Sequence, residues 1–166
     1  MVTVSPVEPP IVFELGSNAN KNDLQEQISV LLGNNKTSAS ITVHPTYQVT
    51  YYKGVLNISN TDSKAYYVHI KVVNPITGWP SGSNVTLCIY GANTARQLID
   101  WPTPKAVGAI KGVDLTTTGT IYIDTLDVDE KWEVDVYVHI PEGSGLPSSA
   151  TAYLLLVYSP SGEAPP

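Results

Sequence analysis

The residues that could support acid–base or metal chemistry are scattered along this chain. Its three histidines, His44, His69 and His139, each stand alone in a strand-like segment or at its end, and no two have the spacing of metal ligands. We interpret them as ordinary strand histidines. No Gly-x-Ser-x-Gly sequence occurs, so the exposed serine of a nucleophile elbow is not predicted.

Carboxylates come together in one region. Four of them cluster around one turn: Asp124, Asp127, Asp129 and Glu130. Calcium prefers such ligands, but this segment lacks the glycine and the completed ligand alternation of an EF-hand, so we interpret it as a solvated turn. Glu133 and Asp135 could in principle hydrolyse a glycoside, yet strand alternation places both on one outer face. We therefore predict that the chain is not an enzyme and uses no cofactor or metal.

Two tryptophans, Trp79 and Trp101, lie in proline-flanked loops, whereas Trp132 falls in a clear strand. Exposed loop tryptophans can stack on sugar rings, so a secreted carbohydrate-binding β-sandwich module is the alternative function. The competing interpretation is that both rings plug the ends of the domain and bury their large apolar area.

Three asparagines fit the acceptor sequence for N-glycosylation, in which serine or threonine follows two positions later. They are Asn35, Asn57 and Asn84. Such sites matter only in an exported chain, so we treat them as glycosylation candidates that depend on other signs of export.

The first ten residues combine a short apolar strand with a stiff spacer. Residues 1–5 alternate like a strand, Val2, Val4 and Val7 are apolar, and prolines at positions 6, 9 and 10 favour extended backbone. Six connector residues span roughly 20 Å, enough to enter a neighbouring subunit. Strand addition to an open sheet edge there would join subunits head to tail into a fibre. An ordinary first strand or a disordered tail is the alternative that the residues leave open.

Alternation of apolar and polar residues predicts about ten short strands. We place residues 49–73 at the centre, as a hairpin of strands 49–59 and 65–73, and predict a second hairpin from residues 27–32 and 39–44. The other clear strands are residues 11–15, 84–90, 119–125, 131–140 and 150–158, the last a central strand because it is apolar on both sides.

Short strands separated by Gly, Pro and Asn are typical of a two-sheet sandwich. We therefore predict an all-β, jelly-roll-like sandwich with an extended N-terminal donor strand. Residues 1–10 are the donor strand and Pro-rich connector, residues 11–158 the β-sandwich domain, and residues 159–166 a flexible tail.

The amino-acid composition of the chain argues against some classes of binding partner. Charged residues make up 14% of the chain, the net charge is −6, and Lys and Arg form no cluster, which argues against nucleic acid and anionic membranes. Cys88 is the single cysteine, so no disulfide is expected within the chain. No apolar run reaches the roughly 20 residues of a transmembrane helix. No signal peptide begins the sequence, so we expect an intracellular chain or the mature form of an exported one.

Three segments resemble the archaeal bundling pilins, secreted subunits related to the TasA-type matrix fibre proteins of bacterial biofilms. They are residues 9–20 (PPIVFELGSNAN), 36–47 (KTSASITVHPTY) and 51–58 (YYKGVLNI). The resemblance covers about the first half of the chain, and the strand at residues 131–140 agrees in a general way. It implies a jelly-roll subunit, export by a cleaved signal peptide, and fibres joined by donor-strand complementation with residues 1–7 as the donor.

From this resemblance we expect an extracellular structural protein whose partner is itself. It would polymerise into cell-surface pili or fibres for adhesion, bundling or a biofilm matrix, and neighbouring fibres would bundle through glycosylated outer faces. A virion coat jelly roll is a third possibility, distinguished by whether closed shells or open threads form.

Overall fold

The computed structural model describes residues 1–23, 26–99, 105–146, 149–162, 164 and 165. The strands formed by these residues are β1 (Ile11–Leu15), β2 (Asn22–Asp23), β3 (Glu26–Gln27), β4 (Ser29–Leu32), β5 (Ser38–Val43), β6 (Gln48–Asn60), β7 (Tyr66–Asn74), β8 (Asn84–Gly91), β9 (Gln97–Ile99), β10 (Lys105–Val107), β11 (Lys111–Asp114), β12 (Gly119–Leu126), β13 (Lys131–Ile140) and β14 (Ala150–Pro160). None of the described residues belongs to a helix long and apolar enough to cross a membrane.

Two antiparallel five-stranded sheets pack against each other. The front sheet has the strand order β1-β6-β13-β8-β11, and the back sheet has the order β12-β7-β14-β5-β4. Among the ten strands of these sheets, the chain changes sheet after β1, β5, β6, β7, β11, β12 and β13. The predicted all-β, two-sheet sandwich is confirmed.

Strand β13 shows why this sequence forms a sandwich. Trp132, Val134 and Val138 recur at every second or fourth position and are at most 1% exposed, so one face of the strand lies inside the core. β6 pairs with one side of β13 and β8 pairs with the other, which makes β13 the middle of the front sheet. β14 is the middle strand of the back sheet, in agreement with the prediction of a central strand.

The predicted hairpin of residues 49–59 and 65–73 is wrong. β6 lies in the front sheet and β7 in the back sheet, so the turn between them carries the chain across one end of the sandwich. Asn60 fixes this turn, because its Nδ2 donates to three carbonyl oxygens. They belong to Lys64 (2.7 Å), Leu126 (3.1 Å) and Asp127 (3.0 Å). The hairpin predicted from residues 27–32 and 39–44 is present as β4 and β5.

The terminal segments differ from their predicted structure in two details. Residues 1–9 form no strand, so the short strand expected at residues 1–5 has no partner among the described residues. An isolated strand is not stable without a sheet to join, which explains the difference. At the other terminus, β14 continues to Pro160 rather than ending at residue 158.

The sandwich has two ends that differ in what they carry. At one of them, the arm end, Thr61 N donates to Pro10 O (2.8 Å) and Ser161 N donates to Ala65 O (3.0 Å). Both terminal segments therefore leave the domain beside the β6–β7 turn. The opposite end, where β6 starts, is the head end. Twelve steps along β6 separate the two ends, about 40 Å of strand.

Candidate functional site

The N-terminal arm, residues 1–9, is an exposed apolar segment. Val2, Val4 and Val7 are 91%, 83% and 85% exposed. No backbone hydrogen bond connects the arm to other described residues before Pro10. The arm therefore presents valine side chains and unpaired backbone together, the two features of a strand that lacks a sheet.

On one of its two sides, strand β6 of the front sheet is paired along only part of its length. β13 pairs with residues 48–59 of β6 on one side, whereas β1 pairs only with residues 56–60 on the other. The loop after β1 adds two backbone hydrogen bonds, to the carbonyl oxygens of Val55 (3.1 Å) and Gly54 (3.0 Å). Among the described residues, no strand pairs with residues 48–53 on this side. We call these six residues the open edge of β6.

A β-bulge at Gly54 ends the open edge. The pairing of β6 with β13 shifts register between Val134 and Val136, opposite this glycine. Gly54 has a φ of 61°, a left-handed conformation that glycine adopts without strain. A methyl group at Gly16 would overlap the Gly54 carbonyl, so the loop after β1 packs tightly against the bulge. Bulges redirect neighbouring groups, and here the Gly54 N–H points at Asp135 Oδ1, 2.7 Å away.

A pocket of about 270 Å³ lies along the open edge. Its lining combines apolar, aromatic, amide and ammonium groups, from Asn18, Lys21, Asn22, Ile28, Tyr51, Tyr52 and Lys53. Asn18 Nδ2 donates to Lys53 O (2.8 Å), and Lys21 Nζ donates to Asn18 Oδ1 (3.3 Å). The polar groups of the pocket are thus partly held by one another, and the concave surface is already formed in the single chain.

The outer face of the front sheet holds a buried charge cluster that the sequence did not reveal. Asp135 is 0% exposed, although alternation places it on the outer face as predicted. Arg96, from the segment between β8 and β11, covers it: Nε donates to Oδ2 (2.8 Å) and Nη2 donates to Oδ1 (3.2 Å). Tyr51 Oη also donates to Oδ2 (2.5 Å). The Arg96 guanidinium further bonds Glu133 (2.7 Å) and lies 4.4 Å from the centre of the Tyr90 ring.

The charge cluster around Asp135 stabilises the structure and does not transfer protons. Burial opposes the charged form of Arg96, but its hydrogen bonds to Asp135 and Glu133 outweigh burial and raise its pKa. Burial, together with the hydrogen bond to Asp135, raises the pKa of Tyr51 far above its ordinary value. Neither group exchanges protons near neutral pH, so the cluster clamps the segment carrying Arg96 onto the sheet.

Cys88 lies on the same face, in a small second core with Tyr90 and Tyr137. Burial, followed by the charge of Asp135, raises the pKa of its thiol to about 12. Because the thiolate is the reactive form of cysteine, Cys88 is a packing residue and not a nucleophile.

The three glycosylation candidates lie in different settings. Asn35 is exposed in the turn between β4 and β5, and Asn84 is exposed at the start of β8. Asn57 is half-buried in β6, between the paired strands β1 and β13. Asn35 and Asn84 are therefore the more accessible acceptors, and sugar attachment stays a prediction at all three.

The other sequence candidates do not come together. Trp79 is half-buried and packs against the main core, as an end plug would, and Trp101 lies outside the described residues. Sugar binding by these rings stays a prediction. His69 is only 7% exposed, because the ring of Tyr122 packs 5.1 Å from it. Within the described ranges, no group of three or more His, Cys, Asp or Glu side chains could hold a metal ion.

Two features therefore bear on function: an exposed valine-bearing arm at one end of the sandwich, and an open strand edge with a pocket toward the other. The buried cluster around Asp135 supports the strand that carries the open edge, because it bonds both Tyr51 and Gly54. Comparison with models of known protein families and with curated proteins finds no match to this chain.

Proposed function

We propose that this protein is an extracellular structural subunit that polymerises head to tail into fibres, each copy lending its N-terminal arm as a strand to the next. One observation carries the proposal: Val2, Val4 and Val7 are 83% to 91% exposed on the arm, which forms no strand within its own chain. A strand that joins a partner's sheet buries such side chains and pairs its backbone. Because the arm and its acceptor are different surfaces, the contact repeats without closing and gives an open fibre.

Burial of the valines provides the driving force for this joint. Val2 and Val4 lie on the same side of an extended strand, and at about 1.5 to 3 kcal/mol each they give roughly 3 to 6 kcal/mol before the cost of association. That cost is about 4 to 15 kcal/mol, so valine burial alone does not guarantee a stable joint. Backbone hydrogen bonds along a sheet edge, each contributing about 0.5 to 1.5 kcal/mol net, supply the remainder.

The resemblance to archaeal bundling pilins supports the same proposal. The resembling residues 9–20, 36–47 and 51–58 contain β1, β5 and part of β6, so they include the strand that carries the open edge. The fibre would lie at the cell surface and bundle laterally with its neighbours. Asn35 and Asn84, both exposed, are the accessible positions for sugars on such a fibre.

Deletion of residues 1–7 tests the proposal. We expect the shortened chain to fold, because no described backbone hydrogen bond ties these residues to the sandwich. We also expect it to form no fibres in negative-stain electron microscopy. Fibres from the shortened chain would refute the donor role. Closed shells from the unaltered chain would favour a coat protein, and monomers that respond to polysaccharide would favour a sugar-binding module.

A matched pair of point variants tests whether assembly depends on the apolar side chains of the arm or only on the presence of the arm. Val4→Asp places a carboxylate on the side of the strand that Val2 and Val4 share, where burial of an unpaired charge is very unfavourable. Ser5→Asp adds the same charge one residue later, on the opposite side of an extended strand. We expect the first variant to lose its fibres and the second to keep them. Equal loss in both variants would contradict valine burial as the cause of assembly.

A further inference from the structure

We propose that the acceptor for the arm is the open edge of β6, so that residues 1–6 of one copy pair antiparallel with residues 48–53 of the next. This inference rests on the proposed function and adds to it the place, direction and register of the joint. It makes the second copy of this chain the occupant of the pocket beside the open edge.

The direction of the arm favours this edge. The arm precedes β1 directly in the chain, with a bend at Pro10, and β1 is antiparallel to β6. We consider a second copy, the donor, whose arm end faces the head end of the first copy, the acceptor, with both copies in the same orientation. The donor's arm would then enter the acceptor along the same line as the acceptor's β1 and in the same chain direction. That arm would run antiparallel to the acceptor's β6. β1 pairs with residues 56–60 of β6, and the open edge is the part with which no described strand pairs on that side.

Length and alternation select the register. Six fully extended residues span about 20 Å, the length of the arm strand, and the open edge is close to this length, although Gln48 at its start turns with a φ of 64°. Thr50 and Tyr52 of β6 point inward and are 8% and 2% exposed. Val2 opposite Tyr52 and Val4 opposite Thr50 would place both valines on that inward side. A shift of one residue would turn both valines outward, so alternation excludes it.

The chemistry of the arm also suits a buried position at a sheet edge. Residues 2–7 carry no ionisable side chain, so no charged side chain of the arm would enter the sheet. Pro6 would lie opposite Gln48, where the strand leaves the acceptor, and an edge strand tolerates a missing N–H at its end. Val2 would reach the pocket, whose apolar lining includes Ile28.

The other free strand edges among the described residues fit less well. β4 and β11 are four residues long, shorter than the arm strand. β1 already uses one outward N–H in the middle of the strand, because Phe13 N donates to Lys36 O (2.6 Å), whereas the hydrogen bond that Lys53 O accepts from Asn18 lies at the last residue of the open edge. β12 is eight residues long, but it bulges between Tyr122 and Asp124. Bulges at sheet edges hinder further pairing. β12 is the strongest competitor and supplies the comparison in the test below.

Disulfide cross-linking between two singly substituted full-length chains tests the location. In the proposed register, Ser5→Cys of one copy lies opposite Val49→Cys of the other. Directly opposite residues of antiparallel strands have Cα atoms about 4.5 to 5.5 Å apart, within the range that a disulfide bridges. The comparison mixture replaces the second chain by Thr120→Cys, an exposed position on β12. The native Cys88 can stay, because it is buried.

After assembly and mild oxidation, we expect about tenfold more covalent dimer on non-reducing gels from the Val49→Cys mixture than from the Thr120→Cys mixture. Fibres that cross-link through Thr120→Cys instead would overturn the acceptor but leave the proposed function standing. Absence of fibres from the unaltered chain would overturn both. If the Val49→Cys chain does not fold, Pro6→Cys with Gln48→Cys tests the same register. Fibres that cross-link in neither of these two pairs also overturn the inference.

Discussion

Replacement of Arg96 by methionine would expose how the front sheet tolerates a buried carboxylate. The variant keeps an unbranched side chain but removes the guanidinium that pairs with Asp135. The side chains of Arg96 and Asp135 are 10% and 0% exposed, so solvent screens the pair very little. Removal of one partner from a buried pair costs about 3 to 5 kcal/mol, because the other charge is left uncompensated. Tyr51 and Gly54 still bond the carboxylate, so we expect the lower end, about 3 kcal/mol.

Urea unfolding followed by tryptophan fluorescence measures this loss, because Trp132, one of the three tryptophans, is 1% exposed in the main core. For a domain of this size, a loss of about 3 kcal/mol lowers the melting temperature by roughly 6 to 12 °C. Glu133→Gln is the matched control. The side chain of Glu133 is 28% exposed, so loss of its ion pair should cost at most about 1 kcal/mol. The Val4→Asp background keeps assembly from masking the unfolding transition.

The double variant Arg96→Met, Asp135→Asn isolates the effect of charge. An amide at position 135 leaves no buried charge, and its oxygen still accepts a hydrogen bond from Tyr51 or Gly54. We therefore expect the double variant to be more stable than Arg96→Met by at least about 1 kcal/mol. Additive losses would refute an uncompensated carboxylate as the cause. A cost for Arg96→Met no larger than that of Glu133→Gln would refute it as well.

Three further predictions follow from buried or hydrogen-bonded groups. Because the pKa of Cys88 is about 12, its thiol stays protonated at pH 8, and we expect an aromatic disulfide reagent to label it only as the chain unfolds; labelling of the folded chain within minutes would contradict this. Asn60→Asp leaves three carbonyl oxygens without their shared donor and should cost about 2 to 4 kcal/mol in urea unfolding, whereas a loss below about 1 kcal/mol would show that the turn does not depend on it. The hydrogen bond that Tyr66 donates to Asp62 raises the pKa of Tyr66 from 10.0 to about 12. The stability that this hydrogen bond contributes is therefore fully present below pH 10 and is lost as the pH rises through 12. Tyr66→Phe should flatten this alkaline decline in melting temperature, and an unchanged decline would count against the hydrogen bond as its source.

Strand positions follow from the sequence wherever one face is buried, but strand pairing does not. The valine alternation predicts a strand at residues 131–140, and β13 occupies the same residues. The polar turn after residue 59 suits a hairpin and a crossing between sheets equally well, and the flanking alternation is the same in both. Only the packing of the whole chain decides that β6 and β7 lie in different sheets.

The candidate site divides in the same way. The valines and prolines of the arm predict an extended apolar segment, because local residue types determine that behaviour. The open edge of β6 depends on where β1 stops against it, which no local pattern records. Alternation correctly places Asp135 on the outer face, but its burial comes from Arg96, 39 residues away in sequence.

The N-terminal and the C-terminal segments both leave the domain beside the β6–β7 turn, the first at Pro10 and the second at Ser161. A folded protein fused behind the C-terminal segment would stand beside the root of the arm and obstruct an approaching neighbour. A protease site between the C-terminal segment and the fused protein would allow the obstruction to be removed by cleavage. Cleavage would then start polymerisation at a chosen moment, so that growth could be timed from a uniform pool of single subunits.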